Sequence, residues 1–85
     1  MKIRVLYFAS LRERLGLASE EIEAPEGVQT CADVRAWLRG RGGVWAEALA
    51  EGTNVRIALN QRVARAETVV GEGAELAFFP PVTGG

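Results

Sequence analysis

The sequence predicts an α+β fold in which one main helix packs across a mixed sheet of about four to five strands. Three observations predict it. Lys2 to Phe8 and Ala74 to Phe79 alternate in polarity with the two-residue period of a strand. Between them, Val34, Trp37 and Leu38 recur at i, i+3 and i+4, the stripe of an amphipathic helix. The chain has 85 residues, 48% of them hydrophobic and 25% charged. That is room for one small core, burying roughly 60% or somewhat more of the surface the unfolded chain exposes.

Taken in order, the first strand puts Ile3, Val5 and Tyr7 on the core face and Lys2, Arg4, Leu6 and Phe8 on the other. Ser10 and Glu13 have capping-box spacing, which predicts a short helix from about Leu11 to Leu15 with Gly16 suited to its stop. Glu20 to Ala24 alternates weakly around Ile22 and pairs beside the first strand, and Pro25-Glu26-Gly27 is turn chemistry. Thr30 and Asp33 repeat the capping spacing and start the main helix, which ends near Gly40. Cys31 falls in its first turn, where the helix dipole can lower a thiol pKa, although nothing nearby in the sequence supplies a base or a resolving thiol.

Arg39-Gly40-Arg41-Gly42-Gly43 reads as a flexible connection with solvated arginines, followed by a second short helix over Val44 to Ala50 with Trp45, Ala48 and Leu49 inward. Val55, Ile57 and Leu59 alternate with Asn54, Arg56 and Ala58 as a strand. Asn60-Gln61 turns the chain into a brief strand around Val63. After the Gly71-Glu72-Gly73 turn, the last strand sets Leu76 and Phe78 on one face and Glu75, Ala77 and Phe79 on the other. This order is the β-grasp arrangement, with the first and last strands parallel at the sheet centre. Leu6 and Phe8 then lie near Ala77 and Phe79, as an exposed apolar patch of the kind that marks interaction sites unless the chain's own loops cover it.

Composition narrows the function. Ten basic and eleven acidic residues give a formal charge of -1, without the basic footprint of a nucleic-acid binder. No apolar run approaches the ~20 residues that span a bilayer, and the alternating start does not resemble a signal-peptide core, so a cytoplasmic protein is expected. With no histidine and Cys31 as the single cysteine, neither a typical zinc site nor a Ser-His or Cys-His nucleophile can be built. No bound cofactor and no metal are expected.

The remaining signal is the final octapeptide, Phe78-Phe79-Pro80-Pro81-Val82-Thr83-Gly84-Gly85. It divides the single domain into a body, residues 1–79, and a projecting tail, residues 80–85. Two prolines fix φ and remove amide donors, so the sheet ladder must stop there. Glycine lacks a Cβ and can approach another protein closely, which leaves the Gly85 carbonyl open to attack. A carboxylate is a poor electrophile, so a partner must activate it. A frayed end is the alternative reading of a bare Gly-Gly.

The chain resembles the small, sulfur-carrying subunit family of molybdopterin synthase, a ubiquitin-like family. The resemblance covers Ile3-Arg4-Val5-Leu6-Tyr7-Phe8-Ala9 with Leu11-Arg12-Glu13, Ala58-Leu59-Asn60, and Glu75-Leu76-Ala77 with the octapeptide. Gly-Gly alone fits any ubiquitin-like carrier, including those of thiamin synthesis and transfer-RNA thiolation, but the whole octapeptide is similar to the molybdopterin branch. Gln61 departs from the Gly that often follows the middle Asn.

The resemblance implies that a ubiquitin-activating-type adenylyltransferase uses ATP to adenylate the Gly85 carboxylate, and that sulfur from a persulfide donor displaces AMP to leave a thiocarboxylate. The tail, Pro80 to Gly84, then carries this group into the synthase large subunit, where it gives sulfur to cyclic pyranopterin monophosphate to form the dithiolene. Two carriers per large-subunit dimer, a heterotetramer, are implied. The chain is then no enzyme on its own, and the active site lies on the large subunit. Partner binding is assigned to Phe79, Phe8, Leu6 and Ala77. A binding-only β-grasp module, its tail merely an anchor, is the competing function.

Overall fold

The computed structural model describes residues 1–81. Alternation at the amino-terminal end becomes β1 (Lys2–Tyr7), in which Ile3, Val5 and Tyr7 are all but fully buried. Phe8 follows in extended conformation and starts α1 (Ala9–Leu15), which ends at Gly16 in the left-handed region, φ 72°. The Ser10/Glu13 capping box expected from spacing is not formed. The cap is Phe8, whose carbonyl accepts from the N–H groups of Leu11 and Arg12, so Ser10 already lies inside the first turn.

From α1 the chain returns as β2 (Ser19–Glu23), antiparallel to β1 with Ile3 opposite Ile22. After a turn at Pro25 it enters α2 (Cys31–Arg39) through a complete capping box. The Thr30 hydroxyl accepts from the Asp33 N–H, and the Asp33 carboxylate accepts from the Thr30 N–H. Two more amides that a helix start leaves unpaired are met from a distant loop, with Cys31 N–H donating to the Thr68 carbonyl and Ala32 N–H to that of Ala66. The loop before the last strand is thereby tied to the main helix.

The remaining elements are α3 (Gly43–Ala48), β3 (Arg56–Leu59), β4 (Arg62–Val63) and β5 (Glu75–Phe79). The sheet order is β2-β1-β5-β3-β4, and β1 and β5 run parallel at its centre with Val5 beside Leu76 and Tyr7 beside Phe78. This is the β-grasp topology that the element order predicts. Asn60 and Gln61 make the two-residue turn from β3 to β4, both with positive φ, 50° and 69°. A two-residue hairpin of type I′ requires positive φ at both positions, and glycine or asparagine takes it at least cost.

One face of the sheet supports the core. Val34 and Leu38 of α2, Leu49 after α3, and Ile57, Leu76 and Phe78 of the sheet share it with β1. Each such aliphatic or aromatic side chain contributes roughly 1.5–3 kcal/mol by leaving water. Trp37, on the same helical stripe, is only half-buried, because its indole lies at the rim of the core. No helix among the described residues is long and apolar enough to cross a membrane.

Candidate functional site

The opposite face of the sheet is not covered by any helix among the described residues, and it carries an apolar groove of about 250 Å³. Register decides its floor. Leu6 of β1 lies opposite Ala77 of β5, which lies opposite Ala58 of β3, so two alanines sit side by side at the sheet centre. Small side chains there keep the floor low, and Leu6, Phe8 and Phe79 form the walls. Ala77 is 8% exposed because it is that floor, whereas Phe8 is 46% exposed. The structure therefore brings Leu6, Phe8, Ala77 and Phe79 together on one face, and no loop of the described residues closes over it.

Phe8 is held in place by its backbone. Its N–H donates to the Phe78 carbonyl at 3.2 Å, continuing the ladder between β1 and β5, while its own carbonyl caps α1. Ala9, next in the chain, has φ 52°, a conformation that costs a residue with a Cβ and turns the chain sharply into the helix. The ring is presented from a fixed backbone.

Three further residues line the groove: Ala58, Gln61 and Glu75. None was singled out as a site residue from sequence. Alternation alone places Ala58 and Glu75 on the outward face, but only the pairing of β3 with β5 sets them beside Ala77. Asn60 fixes the turn against β5, because its N–H donates to the Glu75 carbonyl at 2.8 Å and its side-chain oxygen accepts from the Glu75 N–H at 3.0 Å.

At the Phe79 end of the groove, β5 stops and Pro80 and Pro81 follow, both half-buried. Val82, Thr83, Gly84 and Gly85 lie outside the described residues.

Cys31 is an unactivated thiol, in keeping with the lack of a nearby base or resolving thiol in the sequence: it is 0% exposed and burial pushes its pKa up. One expectation is corrected. Arg41 is not a solvated arginine, for it donates two hydrogen bonds to the Glu20 carboxylate, 2.8 and 2.9 Å, and stacks 4.4 Å from the Trp45 ring centroid and 5.5 Å from that of Trp37. The Tyr7 hydroxyl donates to the same carboxylate at 2.8 Å. Burial first, then the Glu20 carboxylate, drive the Tyr7 phenol far above its ordinary range. Burial opposes ionisation of Glu20, yet the hydrogen bonds from Arg41 and Tyr7 outweigh it and hold the carboxyl below its ordinary value. This cluster ties β1, β2 and the α2–α3 connection together behind the groove.

A family model described as the ThiS family matches residues 5–85. The chain belongs to the ThiS family. Among its relatives, the molybdopterin synthase sulfur carrier subunit of Haemophilus influenzae is 41% identical over 98% of this chain and 99% of its own length. That of Escherichia coli is 37% identical over the same shares. Of solved structures, the putative molybdopterin converting factor subunit 1 of Pyrococcus furiosus is 31% identical and superposes with a TM-score of 0.78, covering 96% of this chain and 99% of its own. A chain of the complex of subunits 1 and 2 of molybdopterin-converting factor from Helicobacter pylori is 26% identical with a TM-score of 0.67, covering 100% of both chains. The ThiS-family match runs through the tail to Gly85, and the fold it shares with these structures is the β-grasp described above.

Proposed function

We propose that this chain is the sulfur carrier subunit of a molybdopterin synthase, that residues 80–85 form its projecting tail, and that the Gly85 carboxylate is the loading point. The observation that carries this reading is the placement of β5. The strand runs along the floor of the open apolar groove and delivers the chain, at Phe79-Pro80-Pro81, from the rim of that same face. A partner that covers the groove receives the tail in the same event. The sulfur carriers to which the chain is similar, and the two-subunit complex from Helicobacter pylori, support this assignment.

The chemistry follows from the carboxylate. An adenylyltransferase of the ubiquitin-activating type joins a Gly85 oxygen to the α-phosphorus of ATP and releases pyrophosphate, giving a mixed anhydride whose leaving group is AMP. A persulfide displaces AMP, and a thiol cleaves the resulting acyl disulfide to leave the thiocarboxylate. In the large subunit this soft nucleophile gives its sulfur to cyclic pyranopterin monophosphate, and water restores the carboxylate. The chain's own residues contribute docking and delivery: Leu6, Phe8, Ala77 and Phe79 bind partners. Pro80 and Pro81 limit the entropy lost as Val82 to Gly85 enter the large subunit, where the active site lies. Two carriers on a large-subunit dimer give the heterotetramer, in the cytoplasm.

A reconstituted assay tests the assignment. With large subunit, adenylyltransferase, ATP and a sulfur donor, the wild-type chain should convert cyclic pyranopterin monophosphate into molybdopterin. A chain extended beyond Gly85 should form none. Product from the extended chain would reduce the tail to an anchor. Sulfur delivered only to a thiazole precursor or to transfer RNA would move the carrier to another pathway.

A further inference from the structure

We infer that Glu75 and Gln61 form a recognition pair at the end of the groove remote from the tail, selecting a partner that sets a lysine or arginine against Glu75 beside the apolar side chain filling the groove. This rests on the docking face of the proposed function and names the chemistry that the face requires.

The groove is polar at one end only. Leu6, Phe8, Ala58, Ala77 and Phe79 supply its apolar surface, and Glu75 and Gln61 are its two polar lining residues. Glu75 and Phe79 stand at opposite ends of β5, four residues or about 13 Å apart. A site of this kind binds through its apolar area and takes its orientation from the few polar groups.

Glu75 is half-buried, and no cation of the described residues lies within 4.0 Å of its carboxylate. Arg4, opposite Glu75 in register on β1, is also opposite Glu21 on β2, so two acidic residues share one basic neighbour. A partner seated on the groove removes the remaining water from Glu75. A carboxylate stripped of water without a donor destabilises the complex strongly, and a lysine or arginine is the donor that also cancels its charge.

Gln61 supplies the second observation. Its φ of 69° is one that glycine adopts freely and glutamine does not, in a turn whose preceding residue is pinned to β5 by two hydrogen bonds. Strain of this kind, retained at an exposed side chain on the groove, fits a residue whose amide contacts a partner.

The test is titration of the synthase large subunit with wild type, Glu75→Gln, Glu75→Lys, Gln61→Gly and Phe79→Ala across a salt series, with thermal melts of each variant. Glu75→Lys should bind at least about tenfold more weakly, and Glu75→Gln should lose much of the salt dependence seen in wild type. Gln61→Gly should melt about as high as wild type or a few degrees higher, since the turn is relieved, yet bind several-fold more weakly. Wild-type affinity in both Glu75 variants, with Phe79→Ala unable to bind, overturns the recognition pair and leaves the docking face standing. Wild-type binding by Phe79→Ala removes the docking face and this inference with it. Self-association abolished by Glu75→Lys assigns the groove to a second copy of the chain, which also overturns the inference.

Discussion

Two carboxylates on the strands that flank β1 meet opposite fates. Glu20, on β2, accepts hydrogen bonds from Arg41 and from the Tyr7 hydroxyl, and the arginine in turn lies against the rings of Trp45 and Trp37. Glu75, on β5, lines the apolar groove with no cation of the described residues at ion-pair distance. Where the fold needs a polar group behind its core, the chain completes the hydrogen bonds itself. On the open face it leaves them incomplete, and there the apolar side chains also lack a covering element. The contrast separates residues that hold the β-grasp together from residues that meet something else.

Adjacent phenylalanines on β5 give the largest test of that separation. Phe78 points into the core and is fully buried, so Phe78→Ala should cost about 3–5 kcal/mol in a chemical denaturation experiment. Phe79 points to the groove, and Phe79→Ala should cost no more than about 1 kcal/mol while abolishing detectable large-subunit binding. Equal stability losses would erase the distinction between the two faces. A smaller effect is expected at Arg41, where Arg41→Ala removes a half-exposed ion pair and its stacking and should lower stability by about 1–2 kcal/mol, with docking retained.

The smallest effect is a pH dependence. The Glu20 carboxyl titrates below its unfolded value, so its contribution is fully present above the ordinary carboxylate range and is lost as pH falls through the depressed folded value. Melting curves below the ordinary carboxylate range should therefore show wild type losing more stability than Glu20→Gln. Parallel pH profiles would detach Glu20 from the fold.

Much of this was legible in the sequence, and the misses share a cause. Alternation placed Ile3, Val5, Tyr7, Leu76 and Phe78 on the core face because a strand's period leaves no other choice once one face is buried. The Thr30/Asp33 capping box formed and the Ser10/Glu13 box did not, although their spacing is the same. The difference is tertiary: the ladder between β1 and β5 runs through Phe8 and starts the helix two residues earlier. Arg41 looked solvated because its glycine-rich neighbours suggest a loose loop, and its carboxylate partner lies 21 residues away. Leu6, Phe8, Ala77 and Phe79 were placed by the parallel pairing that the β-grasp implies, whereas Gln61 and Glu75 emerge only from the register of β3 on β5. Local pattern says which face a residue takes, and long-range pairing says what it meets there.

The direct measurement is the intact mass of the chain after incubation with its adenylyltransferase, ATP and a sulfur donor. Loading at Gly85 predicts a gain equal to the replacement of one oxygen by sulfur, located on the last residue by fragmentation and absent when Gly85 is deleted. An unchanged mass, from an adenylyltransferase that loads a known carrier in the same tube, would contradict it.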